Sequence, residues 1–87
     1  MMNSKIRQSF MDFDFKNEVQ YMPMIAVYDS PKDFTGKFVA RLFDMDRVTS
    51  HCLVKDTLDE IIQEIPRNFV RMERSVYDVK CLVCTFL

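Results

Sequence analysis

The spacing of apolar residues changes several times along the chain, and each change marks an element. Ile6, Phe10 and Phe13 follow the i, i+4, i+7 spacing of one helical face. Phe15 lies off that stripe, and Asp12, Asp14 and Lys16 alternate as an extended segment would. Residues 1–20 therefore read as an N-terminal appendage, helical or irregular, ahead of a single domain over 21–87.

Strand-like sequence begins after Pro23. Met24 to Tyr28 forms one apolar run, and Asp29-Ser30-Pro31-Lys32-Asp33 supplies turn chemistry. A second strand runs from Lys37 to Phe43, with Gly36 as the residue suited to a positive φ or a bulge. Asp44-Met45-Asp46-Arg47 turns into a third strand over Val48 to Lys55, rich in β-branched residues.

Thr57 and Glu60 then make a capping-box pattern, and Leu58, Ile61, Ile62 and Ile65 repeat at helical spacing until Pro66. A helix this short is unstable in water alone, so its apolar stripe must dock on the sheet. Phe69 to Glu73 and Val79 to Phe86 read as two more strands. The expected fold is α+β: an antiparallel sheet in β-β-β-α-β-β order, with one short helix on one face.

Alternation along each strand separates two sets of side chains. Phe38, Ala40 and Leu42 oppose Val39, Arg41 and Phe43; Cys52 and Val54 oppose His51, Leu53 and Lys55. In the last strand Val79, Cys81, Val83 and Thr85 oppose Leu82, Cys84 and Phe86, and neither set is polar. Such a sheet needs cover on both sides. One helix covers one side, so Val39, Phe43 and Leu53 require another cover, either the N-terminal Ile6/Phe10/Phe13 segment or a second polypeptide.

Composition narrows the functional classes. At 87 residues one modest core is the limit, which makes a homodimer or a complex reasonable. Twelve basic against thirteen acidic residues give a net charge of −1 and no broad field for nucleic acid. Three cysteines, no leader pattern and no membrane-length apolar run predict a cytoplasmic protein with free thiols and no membrane association.

Catalytic and metal chemistry finds little support. His51 is the single histidine, and as a strand neighbour Cys52 points to the opposite face, so the two do not form a dyad. His51 itself reads as a half-exposed strand residue. Cys81-Leu82-Val83-Cys84 has the spacing of a redox or zinc motif, but on a strand its sulfurs diverge. Asp44-Met45-Asp46 reads as turn chemistry rather than a calcium loop, and one glycine cannot build a phosphate loop. No metal or cofactor is expected, and no enzymatic activity.

Arg67, Arg71, Arg74 and Lys80, with Phe69 and Tyr77 among them, make the C-terminal third locally basic. This pattern suits stacking of single-stranded nucleic acid, a grip on an acidic protein face, or a solvated edge strand, and a nucleic-acid or small-ligand binder using this third is the alternative function.

Ile25-Ala26-Val27-Tyr28, Asp33-Phe34-Thr35-Gly36-Lys37-Phe38-Val39-Ala40 and Lys55-Asp56-Thr57-Leu58-Asp59-Glu60 resemble the core of HicB-like antitoxins. The resemblance covers residues 25–60. It departs from the family at Asp44-Met45-Asp46-Arg47, where a Pro-rich turn is usual, in a shorter helix, and in having no DNA-binding tail. It implies a partial RNase H-like fold that neutralises a toxin by occupying its surface.

The expected function is that of a non-catalytic protein-binding module, an antitoxin or inhibitor, with a phage-encoded inhibitor of a host defence system as the related alternative. Val39, Arg41, Phe43 and Leu53 on the sheet, with Arg67, Arg71 and Arg74, are the expected binding residues.

Overall fold

A computed structural model describes residues 5–75 and 79–87. Six strands form one mixed sheet: β1 (Lys5–Arg7), β2 (Pro23–Asp29), β3 (Phe38–Asp44), β4 (Arg47–Lys55), β5 (Arg71–Glu73) and β6 (Leu82–Phe86). Two short helices complete the chain, α1 (Phe15–Glu18) before β2 and α2 (Leu58–Gln63) after β4. The strand order is β1-β4-β3-β2-β6-β5.

The β2-β3-β4 meander and the helix after it follow the sequence pattern, but the sheet is not wholly antiparallel. Lys5, Ile6 and Arg7 pair in parallel with His51, Cys52 and Leu53. The Ile6/Phe10/Phe13 stripe is therefore not helical. Extension sends Ile6 to the Cys52 side of the sheet and Arg7 to the Leu53 side, while Phe10 turns into the core and donates its N–H to the Glu64 carbonyl (2.9 Å).

Turn chemistry fixes the meander. Gly36 takes a φ of +81° in the β2–β3 loop, where Ser30 Oγ accepts from its N–H. Met45 takes a φ of +61° in the tight β3–β4 turn, a region disfavoured for a residue with a Cβ by about 1–2 kcal/mol. Thr57 Oγ1 caps α2 by accepting from the Glu60 N–H (3.2 Å).

A single core lies on one side of the sheet. Ile25, Val27, Ala40, Leu42, Leu53, Cys84 and Phe86 pack there against Phe10, Val19, Ile61 and Ile65, and all are buried. Phe13, Phe15 and Phe69 extend it as an aromatic chain, with ring centroids 4.8 Å apart for Phe13–Phe15 and 5.4 Å for Phe15–Phe69. The N-terminal segment thus shares the α2 side of the sheet. Phe10 and Phe13, expected to cover the opposite side, pack on this one instead.

Candidate binding surface

Cross-strand partners share a face, so the ladders define the side opposite the helices. One row crosses all six strands: Ile6, Cys52, Arg41, Ala26, Thr85 and Met72. A second contains Val54, Val39, Tyr28 and Leu82, and a third Val48, Phe43 and Met24. Among the described residues no helix crosses this face.

One irregularity and one regular rung decide membership. The β2–β6 register shifts between Val27 and Tyr28, so Val27 faces Cys84 while Tyr28 faces Leu82. Leu82 therefore leaves the set of Cys84 and Phe86 expected from simple alternation, and Val83 packs towards the helix-side core. Leu53 lies opposite Ala40, which places it in the helix-side core rather than with Val39 and Phe43.

Within the open face, Met24, Ala26, Tyr28, Phe43, Met45, Asp46, Leu82 and Thr85 line a shallow groove of about 490 Å³. Its walls are largely aliphatic, aromatic and thioether groups. The strained turn puts Met45 at one end, beside Asp46, and Met45 N–H donates to the Met22 carbonyl (2.7 Å). Arg41 crosses the centre of the sheet and pairs with Asp33 of the β2–β3 loop, and its hydrogen bond holds the Asp33 carboxyl below the ordinary range. Val39, Ala26 and Cys52 form a small buried floor, and burial pushes the Cys52 thiol up.

The expected binding residues thus separate. Val39, Arg41 and Phe43 belong to the open face, Val39 as a buried floor residue; Leu53 does not. Arg67 borders a different groove, with Ile62, Ile65, Phe69 and Phe86. Arg71 lies on edge strand β5, where Nε donates to Glu73 at 2.6 Å, and Arg74 is exposed just beyond it. The local basic character of β5 is therefore partly neutralised by its own Glu73. Tyr77 lies outside the described residues. Ile6, Met24, Tyr28, Met72 and Leu82 escaped sequence reasoning because their membership depends on register between distant strands.

His51 is buried, not half-exposed. Arg7 Nε donates to its Nδ1 at 2.9 Å, which assigns the ring proton to Nε2, 3.3 Å from a Glu18 carboxylate oxygen. Phe13 meets the imidazole edge-on at 4.9 Å and carries the Arg7 guanidinium 4.8 Å from its own ring centre. These contacts fasten β1 and α1 to β4, and Cys52 lies on the other side of the sheet.

The remaining motif residues also act locally. Asp44 accepts from the N–H groups of Gln20, Tyr21 and Met22 at 2.8, 2.8 and 3.1 Å. Desolvation pushes its carboxyl up, but these three donors, helped by Arg47, bring it below the ordinary range. Cys81 lies in the turn before β6 rather than on a strand, and Cys84 lies in the core with its thiol pushed up by burial. Among the described residues, no three His, Cys, Asp or Glu side chains converge, and no helix is long and apolar enough to cross a membrane.

The chain matches no protein-family model, no curated protein and no solved structure.

Proposed function

We propose that this chain is a non-catalytic binding module that occupies the apolar surface of a partner protein with the open face of its sheet. The observation that carries this reading is the apolar groove that Met24, Tyr28, Phe43, Met45 and Leu82 line on the helix-free face of the sheet, with Ile6, Val48 and Met72 exposed on the same face. An exposed apolar groove rimmed by polar residues is a common form of binding site. Thioether and aromatic side chains suit an adaptable protein contact. An inhibitor or antitoxin role fits a surface that works by occupation, and the resemblance of residues 25–60 to HicB-like antitoxins favours that form.

The test is affinity capture from the native host with wild type, Phe43→Asp and Arg71→Ala, followed by reconstitution of the purified pair. The reading expects a stoichiometric protein complex that Phe43→Asp abolishes and Arg71→Ala leaves intact. Loss with Arg71→Ala but not with Phe43→Asp would move the working surface to the basic edge.

A further inference from the structure

We propose that the groove on the open face takes an apolar segment of the partner protein that ends in a lysine or arginine, with that cation set against Asp46. The inference rests on the proposed function and names the partner chemistry which that reading leaves unspecified.

The groove follows β2. Met24, Ala26 and Tyr28 project from alternate positions of that strand and line the groove from end to end, a span of about 13 Å at the rise of an extended chain. The register sets Phe43 beside Met24, Thr85 beside Ala26 and Leu82 beside Tyr28. Large side chains thus stand at both ends, and the floor is low in the middle, where alanine and threonine meet. That profile suits the apolar side chains of a chain laid along β2.

Charge distinguishes the two ends. Met45 and Asp46 form the β3–β4 turn at the Met24 end, and Asp46 is the charged residue among those lining the groove. Among the described residues its carboxylate takes part in no hydrogen bond or ion pair. The neighbouring Arg47 acts instead on Asp44. Arg41 stands opposite Ala26, but it is paired with Asp33 of the β2–β3 loop, which lies at the Tyr28 end. The groove therefore carries an unanswered negative charge at its turn end and a compensated pair at the other.

A wholly apolar surface laid over this groove would strip water from the Asp46 carboxylate and return nothing for it. An acidic segment would add repulsion. A lysine or arginine at that end answers the charge while the residues before it fill the apolar length. Because Asp46 sits on the rim, the pair governs selectivity and association rate more than affinity.

Methyl NMR of the full chain, titrated with two acetylated and amidated pentapeptides, tests this directly. Both begin with four alternating leucine and threonine residues; one ends in lysine and the other in glutamate. The lysine peptide should shift the methyl signals of Met24, Ala26, Met45 and Leu82 at millimolar concentration, and bind about three- to tenfold more tightly than the glutamate peptide at low salt. High salt should shrink the difference, Asp46→Asn should erase it, and Asp46→Lys should reverse it. The same spectra identify a variant that fails to fold, and the other Asp46 variant then decides. Equal affinities for the two peptides overturn the inference, as do a preference that survives at Asp46→Asn and the absence of groove shifts with either peptide. In capture from the native host, loss with Phe43→Asp but none with Asp46→Lys overturns this inference and leaves the proposed function standing. A lysine preference that depends on Asp46, beside capture indifferent to Phe43→Asp, does the reverse.

Discussion

Met24 lies directly opposite Phe43 across the β2–β3 ladder, and both project from the side of the sheet that the two helices leave open. Their chain neighbours Ile25 and Leu42 are also cross-strand partners, but they point into the core beneath Ile61 and Phe10. One pair of adjacent residues on each strand thus separates the part of the molecule that holds it together from the part available to a partner.

Leu42→Ala and Phe43→Ser should therefore differ sharply in dilute, monomeric protein. Truncating the fully buried Leu42 costs about 2–5 kcal/mol, whereas Phe43→Ser stays within about 1 kcal/mol of wild type. Urea unfolding followed by circular dichroism measures both. Equal losses would mean that Phe43 is packed beneath a cover.

Met45 carries a backbone strain that a glycine would relieve. Met45→Gly recovers about 1–2 kcal/mol of left-handed strain and loses about 0.5–1 kcal/mol to greater freedom of the unfolded chain. The unfolding midpoint should stay level or rise slightly. Because Met45 lines the groove, binding through the open face should weaken in the same variant.

Acid should loosen the link between Asp44 and residues 20–22. The folded-state carboxyl titrates below its ordinary 3.8, so its stabilising contribution is complete above that value and is lost as pH falls through the lower folded-state value. Hydrogen exchange at Gln20, Tyr21 and Met22 should speed up in that acid window, after correction for intrinsic rates. Asp44→Asn should produce faster exchange already at neutral pH.

The Arg7–His51 hydrogen bond makes a separate prediction about the N-terminal strand. Nitrogen-15 NMR near neutral pH should find the His51 proton on Nε2. Arg7→Ala should cost about 1–3 kcal/mol and selectively expose the β1–β4 ladder to exchange. An Nδ1-protonated neutral ring would contradict the donor assignment.

Local signals account for the parts of this fold that were legible in the sequence. The Thr57 cap, the Ile61/Ile65 stripe, the positive φ of Gly36 and the three-strand meander are each specified within a few residues. What escaped were relationships between distant segments. Lys5–Arg7 becomes a strand only because β4 offers it an edge, and no periodicity in three residues announces that. The burial of His51 follows from Arg7, Phe13 and Glu18, all brought from the N-terminal segment. For the open face, alternation separates Val39 and Phe43 from Leu42 but cannot say which set of β4 joins them. The Ala40–Leu53 register decides that, and the shift at Val27/Tyr28 then moves Leu82 across the sheet.

Site-specific photo-cross-linking in the native host tests the central claim most directly. A benzophenone side chain would replace Phe43 in one version of the chain and Gln63, on the helix-covered side, in another. The open-face reading predicts discrete cross-linked species between position 43 and a host protein, and none from position 63. Discrete products from position 63 with none from position 43 would contradict it and place the working surface on the opposite side of the molecule.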